Sequence, residues 1–121
     1  MPHPIKTPVE GQLPYKFIVA GAMGADFTSD AVDVSLVKDV CLQLSFAGTS
    51  PTGTFAVQVS LDNVTYTALS LVDAEGAAWT PAAAGDGTVI INLSPLPYPF
   101  LKVFFDRTSG TGALNGWVFG K

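Results

Sequence analysis

The sequence predicts an all-β fold, a single antiparallel β-sandwich or jelly-roll-like domain of about eight strands. Apolar and polar residues alternate with a period of two along most of the chain after residue 14, as in Val40-Cys41-Leu42-Gln43-Leu44. Clusters of Gly, Pro, Ser, Thr, Asn and Asp interrupt these runs at short intervals. No window of about 11 residues sustains the 3.6-residue period of an amphipathic helix, so we expect negligible helix content.

The first 14 residues differ from the rest of the chain. They contain four prolines, and each proline fixes φ and lacks an amide donor, so this segment can neither build a helix nor pair centrally in a sheet. We predict an extended N-terminal arm over residues 1–14 and a β-sandwich domain over residues 15–121. The arm either frays as a free terminus or lies on a neighbouring subunit, where pre-extended backbone loses less entropy on docking.

The alternating runs define the strands in chain order. They predict strands at residues 15–20, 31–37, 39–46, 54–60, 64–71, 88–93, 99–107 and 114–119. Between them, residues 47–53 predict a hairpin loop, Asp62-Asn63 a short turn, and residues 108–112 a turn into the final strand. The long connection 72–87 has no clear period and contains Trp79, so we expect it to pack on its own sheet or on another chain.

Composition excludes several classes of function. The chain has 121 residues and a net charge of −4, and its charged fraction of 13% is about half the roughly 25% of soluble domains. A mean hydropathy of +0.38 argues against disorder, and the acidic balance argues against nucleic acid as a partner. The N-terminus lacks the apolar core of a signal peptide and no stretch is long enough for a membrane helix, so we expect synthesis in the cytoplasm and no membrane partner.

Catalytic constellations are missing from the sequence. His3 is the only histidine and lies in the arm, and Cys41 is the only cysteine and lies mid-strand, where a buried or half-buried thiol is expected. We therefore predict no catalytic residue, no cofactor and no metal. For Asp26, Asp30 and Asp33 we predict a solvated loop, with a weak structural calcium site as the alternative.

Aromatic residues are the strongest candidates for contact. The last two predicted strands are apolar on both faces, and one face is expected to fill the core. The second face carries Phe100, Phe104, Trp117 and Phe119. A patch of this kind is typical of an interface, unless the connection 72–87 covers it within the subunit. Alternatively, Trp79, Tyr98 and Trp117 form a platform for sugar rings.

Two segments resemble small sandwich proteins in the virions of tailed bacteriophages. The run from Thr54 to Tyr66, with its strand, Asp-Asn turn and aromatic strand, resembles part of these proteins. The segments Pro97–Val103, Arg107–Asn115 and Trp117-Val118 are similar to their last hairpin. The resemblance covers roughly half of the chain, residues 54–69 and 96–121. A similar strand-turn-strand pattern also occurs in discoidin-like sugar-binding domains.

The resemblance implies a non-enzymatic virion structural protein, and specifically a capsid decoration (cement) protein on the outer capsid surface. Its implied partners are the major capsid protein and further copies of itself, as a trimer or dimer. The contact residues expected on this interpretation are Pro2, Pro4, Ile5, Pro8, Trp79, Phe100, Phe104, Trp117 and Phe119. The alternatives are a tail or head–tail connector component, and a carbohydrate- or receptor-binding module that uses Trp79 or Tyr98.

Overall fold

The computed structural model describes residues 5–6, 14–73, 75–93 and 95–121, with only the backbone described at 5–6. Within these residues the chain forms nine strands and no helix. The described part of the chain therefore contains no helix that could cross a membrane. The predicted fold class is confirmed, because all strand pairs are antiparallel except one. The strands are β1 (Ile5–Lys6), β2 (Tyr15–Ala22), β3 (Phe27–Thr28), β4 (Ala31–Asp33), β5 (Val40–Ser60), β6 (Thr67–Ala68), β7 (Ala82–Ala84), β8 (Gly87–Leu93) and β9 (Phe100–Gly120).

Two 21-residue strands, β5 and β9, organise the fold. They pair antiparallel from Val40 opposite Gly120 to Ser60 opposite Phe100. Six further strands add to the outer edges of this pair: β8 lies beside the first half of β5, and β6 and β7 lie beside its second half. In the same way, β2 lies beside the second half of β9, and β3 and β4 lie beside its first half.

The long pair is folded back on itself in the middle. Phe46 and Phe55 are nine residues apart in β5, which is about 30 Å in a straight strand, yet their ring centroids lie 5.5 Å apart. The pairing register shifts between Thr49 and Gly53, as at a β-bulge. Gly110 has a φ of 76°, and a Cβ there would lie 2.0 Å from the carbonyl oxygen of Ser50, so the close crossing requires glycine.

The bend turns one hydrogen-bonded sheet into two packed layers. We call β2, β8, the first half of β5 and the second half of β9 the front layer. The back layer contains β1, β3, β4, β6, β7, the second half of β5 and the first half of β9. Alternate side chains of both layers meet in one core, whose fully buried members include Leu42, Leu44, Val57, Leu101, Val103, Phe105, Leu114 and Val118. The inward row predicted for the last two strands is therefore present.

Two predicted turns are wrong. Residues 47–53 are not a hairpin loop, because the runs on either side are halves of one strand and do not pair with each other. Residues 108–112 likewise lie inside β9, so its two halves are not a hairpin either. Turn-forming residues allow a bulged bend as well as a chain reversal, and local sequence does not distinguish the two.

Smaller differences concern strand ends and short strands. The predicted strand 31–37 ends at Asp33, whose carboxylate accepts hydrogen bonds from the amide and hydroxyl of Ser35 and closes a turn. The predicted strand 64–71 is reduced to β6, and β3 and β7 were not predicted. In the arm, β1 pairs parallel with β4 at the sheet edge, and residues 1–4 and 7–13 lie outside the described residues.

The connection 72–87 packs on its own back layer. The amide of Trp79 donates to the carbonyl of Leu71, and the amide of Phe55 donates to the carbonyl of Pro81. The Trp79 ring is half-buried against the hydrophobic core. Of the two expectations for this segment, packing within the subunit is the one observed.

Candidate functional site

The outer surface of the front layer carries a shallow apolar groove of about 300 Å³. Trp117 lies opposite Lys16 on one side and Gln43 on the other, and Gln43 lies opposite Ile90. Side chains at opposed positions of neighbouring strands share a face, so these four form one row across the layer. We call the surface the front face, and its groove is lined by Pro14, Cys41, Gln43, Ile90, Trp117 and Phe119.

The front face is apolar and open to solvent. Ile90 is 53% exposed and Phe119 is 38% exposed, which is unusual for large apolar side chains in adjacent rows. The Lys16 ammonium lies 4.9 Å from the centre of the Trp117 ring, so a cation–π contact orients the lysine at the rim. No described element covers this groove.

Cys41 belongs to the front face as part of its apolar surface. The thiol is half-buried and lies in the row of Phe119. Burial raises the pKa of the Cys41 thiol, which keeps it protonated at neutral pH. A nucleophilic cysteine needs a lowered pKa, and the shift at Cys41 is in the opposite direction.

The four aromatic residues predicted to form one patch are divided between two surfaces. Trp117 and Phe119 lie on the front face, whereas Phe100 and Phe104 lie half-buried on the outer side of the back layer. The bend of β9 is the cause, because it turns the outward row of its first half away from that of its second half. The single patch expected from the sequence is therefore not formed.

On the outer side of the back layer, the loop 61–66 covers the charged side chain of Lys102 in β9. Lys102 is only 7% exposed, and its ammonium lies 4.2 Å from the centre of the Tyr66 ring. The Tyr66 hydroxyl donates to the side-chain oxygen of Asn63, which holds the ring in place. Desolvation by burial lowers the pKa of Lys102. The loop 61–66 thus acts as a lid over this part of the surface.

The same loop borders a groove of about 600 Å³. We call it the loop groove; it lies between loop 61–66, β6 and the half-buried ring of Tyr98. The turn predicted at Asp62-Asn63 is present, with Asn63 at a left-handed φ of 59°. Asp62 anchors it: its Oδ1 accepts hydrogen bonds from the amides of Thr65 and Val64 and the Ser60 hydroxyl, which lower the pKa of Asp62 to about 2.

The platform of three aromatic residues expected for sugar binding is not formed. Tyr98 lines the loop groove, Trp79 lines a second groove of about 320 Å³ with Leu71 and Pro81, and Trp117 lines the front face. Each ring is half-buried, with one part of its surface still accessible. The three aromatic side chains therefore offer three separate contact points.

The calcium alternative is not supported by the geometry. Asp26 accepts a hydrogen bond from the amide of Arg107, and Asp33 lies opposite Phe100, about 23 Å further along β9. Within residues 14–73, 75–93 and 95–121, no three acidic, histidine or cysteine side chains are arranged to hold a metal ion. Asp26 and Asp30 are exposed and lie outside the strands, whereas Asp33 ends β4 and is half-buried.

Sequence reasoning missed part of the front face. Ile90, Gln43 and Pro14 were not named as contact residues, although they line the same groove as Trp117. A signal was present for Ile90, because Val89-Ile90-Ile91 is apolar on both faces of its strand. The register between β8 and β5, which places Ile90 beside Gln43, follows only from the three-dimensional pairing.

Comparison with known proteins establishes the fold. No protein-family model matches the sequence, and no curated protein matches it. Among solved structures, the chain is similar to the SPBc2 prophage-derived protein YomS, with a TM-score of 0.62 at 11% identity over 88% of this chain and 90% of that one. It is also similar to chitosan-binding module 1 of a chitosanase/glucanase from Paenibacillus sp. IK-5, with a TM-score of 0.52 at 15% identity over 90% of this chain and 77% of that one. At these identities, the shared property is the β-sandwich fold.

Proposed function

We propose that the chain is a non-enzymatic structural protein of a tailed-phage virion, a capsid decoration protein that seats its front face on the major capsid protein. The observation that carries this proposal is the open apolar groove that Ile90, Trp117 and Phe119 line together on the front face. None of the described residues that line the groove is charged, which reduces the cost of removing this surface from water. The likeness to a prophage-derived protein of similar size supports a phage context.

The physics of decoration fits a small domain with one modest apolar surface. A protein that binds only the assembled shell stabilises that shell by mass action. Many weak contacts repeated over a closed lattice add up without any single tight interface. We propose that the protein acts as a trimer or dimer and that Pro2, Pro4 and Pro8 of the arm contact a neighbouring subunit, while the backbone of Ile5 pairs with Ala31 of its own subunit.

Capsids of the encoding phage, produced with this gene deleted, provide the test. Purified protein is added and its occupancy is measured by co-sedimentation, with the melting temperature of the capsid as a second readout. The double variant Trp117→Ser/Phe119→Ser is expected to bind at least about tenfold more weakly, because roughly 1.4 kcal/mol of apolar contact is enough for that loss. Full occupancy by this variant would contradict the proposal.

A matched control removes exposed apolar groups elsewhere. Leu36 and Val72 are 65% and 57% exposed and lie in connections between strands, outside the front face. The double variant Leu36→Ser/Val72→Ser is expected to bind capsids like the unmodified protein. Circular dichroism and thermal melting of both double variants establish that each is folded.

The location of the bound protein tests the alternative virion role. Protein bound at the tail instead of the shell would favour a connector or tail component.

A second candidate function is a carbohydrate-binding module. It is favoured by the rings of Tyr98 and Trp79, which each line a shallow groove with part of the ring accessible. Aromatic rings beside hydroxyl-bearing side chains suit the mixed apolar and polar faces of a sugar. The chitosan-binding module with the same fold makes this class of ligand a reasonable one to test. Saturable binding of oligosaccharides, lost in Tyr98→Ala or Trp79→Ala, would support this function.

A further inference from the structure

The loop groove has a polar lining that the capsid-binding proposal does not use. Its volume of about 600 Å³ lies within the roughly 300–1,000 Å³ of small-molecule sites. The exposed side chains of Thr65, Thr67 and Ser70 line it. Their hydroxyl groups make no hydrogen bond with any described residue. Leu69 and the ring of Tyr98 supply apolar surface in the same groove.

Asp62 is the single charged residue among those that line the loop groove. All three hydrogen bonds that position its carboxylate reach Oδ1, from Ser60, Val64 and Thr65. No described residue donates to Oδ2. The side chain is exposed, so the groove presents a carboxylate oxygen that is fixed in place and open to a ligand. Anchoring before binding reduces the entropy that a ligand contact must overcome.

We propose that the loop groove binds an amino sugar, with the ligand's ammonium group on Oδ2 of Asp62 and its ring against Tyr98. This inference rests on the second candidate function and names its site and ligand class. A sugar hydroxyl both donates and accepts, as do the hydroxyls of Thr65, Thr67 and Ser70, so the two sets are complementary. An ammonium group forms a charge-assisted hydrogen bond with a carboxylate, which is stronger than a bond between neutral groups.

The lining favours an amino sugar over a basic peptide. A lysine side chain presents a methylene stem and no hydroxyl, so it would leave the three threonine and serine hydroxyls of the groove without partners. A neutral sugar would satisfy those hydroxyls and donate a hydroxyl hydrogen bond to the carboxylate, but it brings no opposite charge to Asp62. A ligand with both hydroxyls and a positive charge matches the hydroxyls and the charge of the lining.

Three tetramers separate these possibilities in titrations followed by calorimetry and NMR: glucosamine, N-acetylglucosamine and lysine. The first two share a sugar backbone and differ in charge. We expect the glucosamine tetramer to bind and to do so about three- to fivefold more tightly than the acetylated one, as one exposed charge pair allows. Asp62→Asn keeps the Oδ1 acceptor, removes the charge and is expected to abolish this preference. Tyr98→Ala is expected to weaken binding of both sugars.

Asp73→Asn is the matched control. Asp73 also anchors a loop through Oδ1, which accepts from the amides of Glu75 and Ala77, but it lies outside the loop groove. Its variant should keep the preference for glucosamine. Equal binding of the two sugars, unchanged in Asp62→Asn, would overturn the inference while leaving a sugar-binding function intact. Binding of neither sugar at millimolar concentration would overturn both, and a lysine tetramer that binds as tightly as glucosamine would replace the sugar with a basic peptide.

Discussion

The outer surfaces of the two layers arise from the same two strands but are treated differently by the rest of the chain. On the back layer, Lys102 points outward and is covered by Tyr66, which is held by Asn63. On the front layer, Trp117 and Phe119 point outward and no described element covers them. The covered surface hides a charge, and the open surface shows apolar rings.

This difference distinguishes a surface that the chain itself covers from one that the proposed function assigns to a partner. A covered lysine beneath an aromatic ring is a local solution to burial, since the ring contacts the cation and the loop replaces water. Apolar rings left open have no such solution within the described part of the chain, and on the proposed function a partner is expected to cover them. The same alternation of residues in β9 therefore yields a covered surface in one layer and an open one, the proposed contact surface, in the other.

The largest expected effect tests the covered surface. Tyr66→Ala removes the ring over Lys102 and the hydroxyl that donates to Asn63, which is only 2% exposed. We expect the free energy of unfolding to fall by about 2–3 kcal/mol, from lost burial and a weakened buried hydrogen bond. Urea denaturation followed by tryptophan fluorescence measures this change.

The front face provides the contrast for that measurement. Lys16→Met removes the cation beside Trp117, an exposed contact at 4.9 Å. We expect a change below about 1 kcal/mol, because exposed cation–π pairs contribute little. Equal losses from Tyr66→Ala and Lys16→Met would remove the distinction between a covered and an open surface.

Sequence reasoning predicted the inward rows well and the outward surfaces less well. The period of two was enough to place Leu101, Val103 and Phe105 on one face of their strand and Phe104 on the other, and the first of these faces is the buried one. Whether Phe104 and Trp117 share one outer surface depends on the bend of β9 between them. That bend is encoded by close approach at Gly110, a contact between residues far apart in the chain.

Loops limited the prediction of the candidate sites. Trp79 was expected to pack on its own sheet or on another chain, and the choice depended on hydrogen bonds to Leu71 that local sequence does not specify. The loop groove was not predicted at all. Its hydroxyls at Thr65, Thr67 and Ser70 looked like ordinary strand surface, and only the shortening of that strand to β6 brings them around Asp62.

Lowering the pH is expected to have a smaller effect on stability, through Asp62 in loop 61–66. The Thr65 and Val64 amides and the Ser60 hydroxyl lower the pKa of Asp62 from 3.8 to about 2 in the folded protein. Since the folded state holds this proton less tightly than the unfolded state, the ionised carboxylate stabilises the fold above about pH 4. This contribution is lost as the pH falls from about 4 to about 2.

Unfolding curves of the unmodified protein and Asp62→Asn across this range measure the contribution. The unmodified protein should lose more stability than the variant between pH 4 and pH 2, because the asparagine has no proton to take up. Ser60→Ala removes one of the three donors and should narrow the difference. If the stability of the unmodified protein and of Asp62→Asn falls in parallel with pH, the hydrogen bonds to Oδ1 do not lower the pKa of Asp62.

The smallest expected effect is a change in the alkylation rate of the Cys41 thiol, which lies on the front face. Burial raises the pKa of the Cys41 thiol, so the thiolate is scarce at neutral pH, and alkylation should be slower than that of cysteine in a short peptide. Because Cys41 lies beside Phe119 on the front face, docking on a capsid should slow it further. Ser109→Cys in a Cys41→Ser background places a thiol on an exposed residue at the bend, away from the front face, and should react equally fast when free and when bound. Protection of Cys41 alone would assign the contact to the open surface of the front layer, whereas protection of only the thiol introduced at position 109 would move it to the bend.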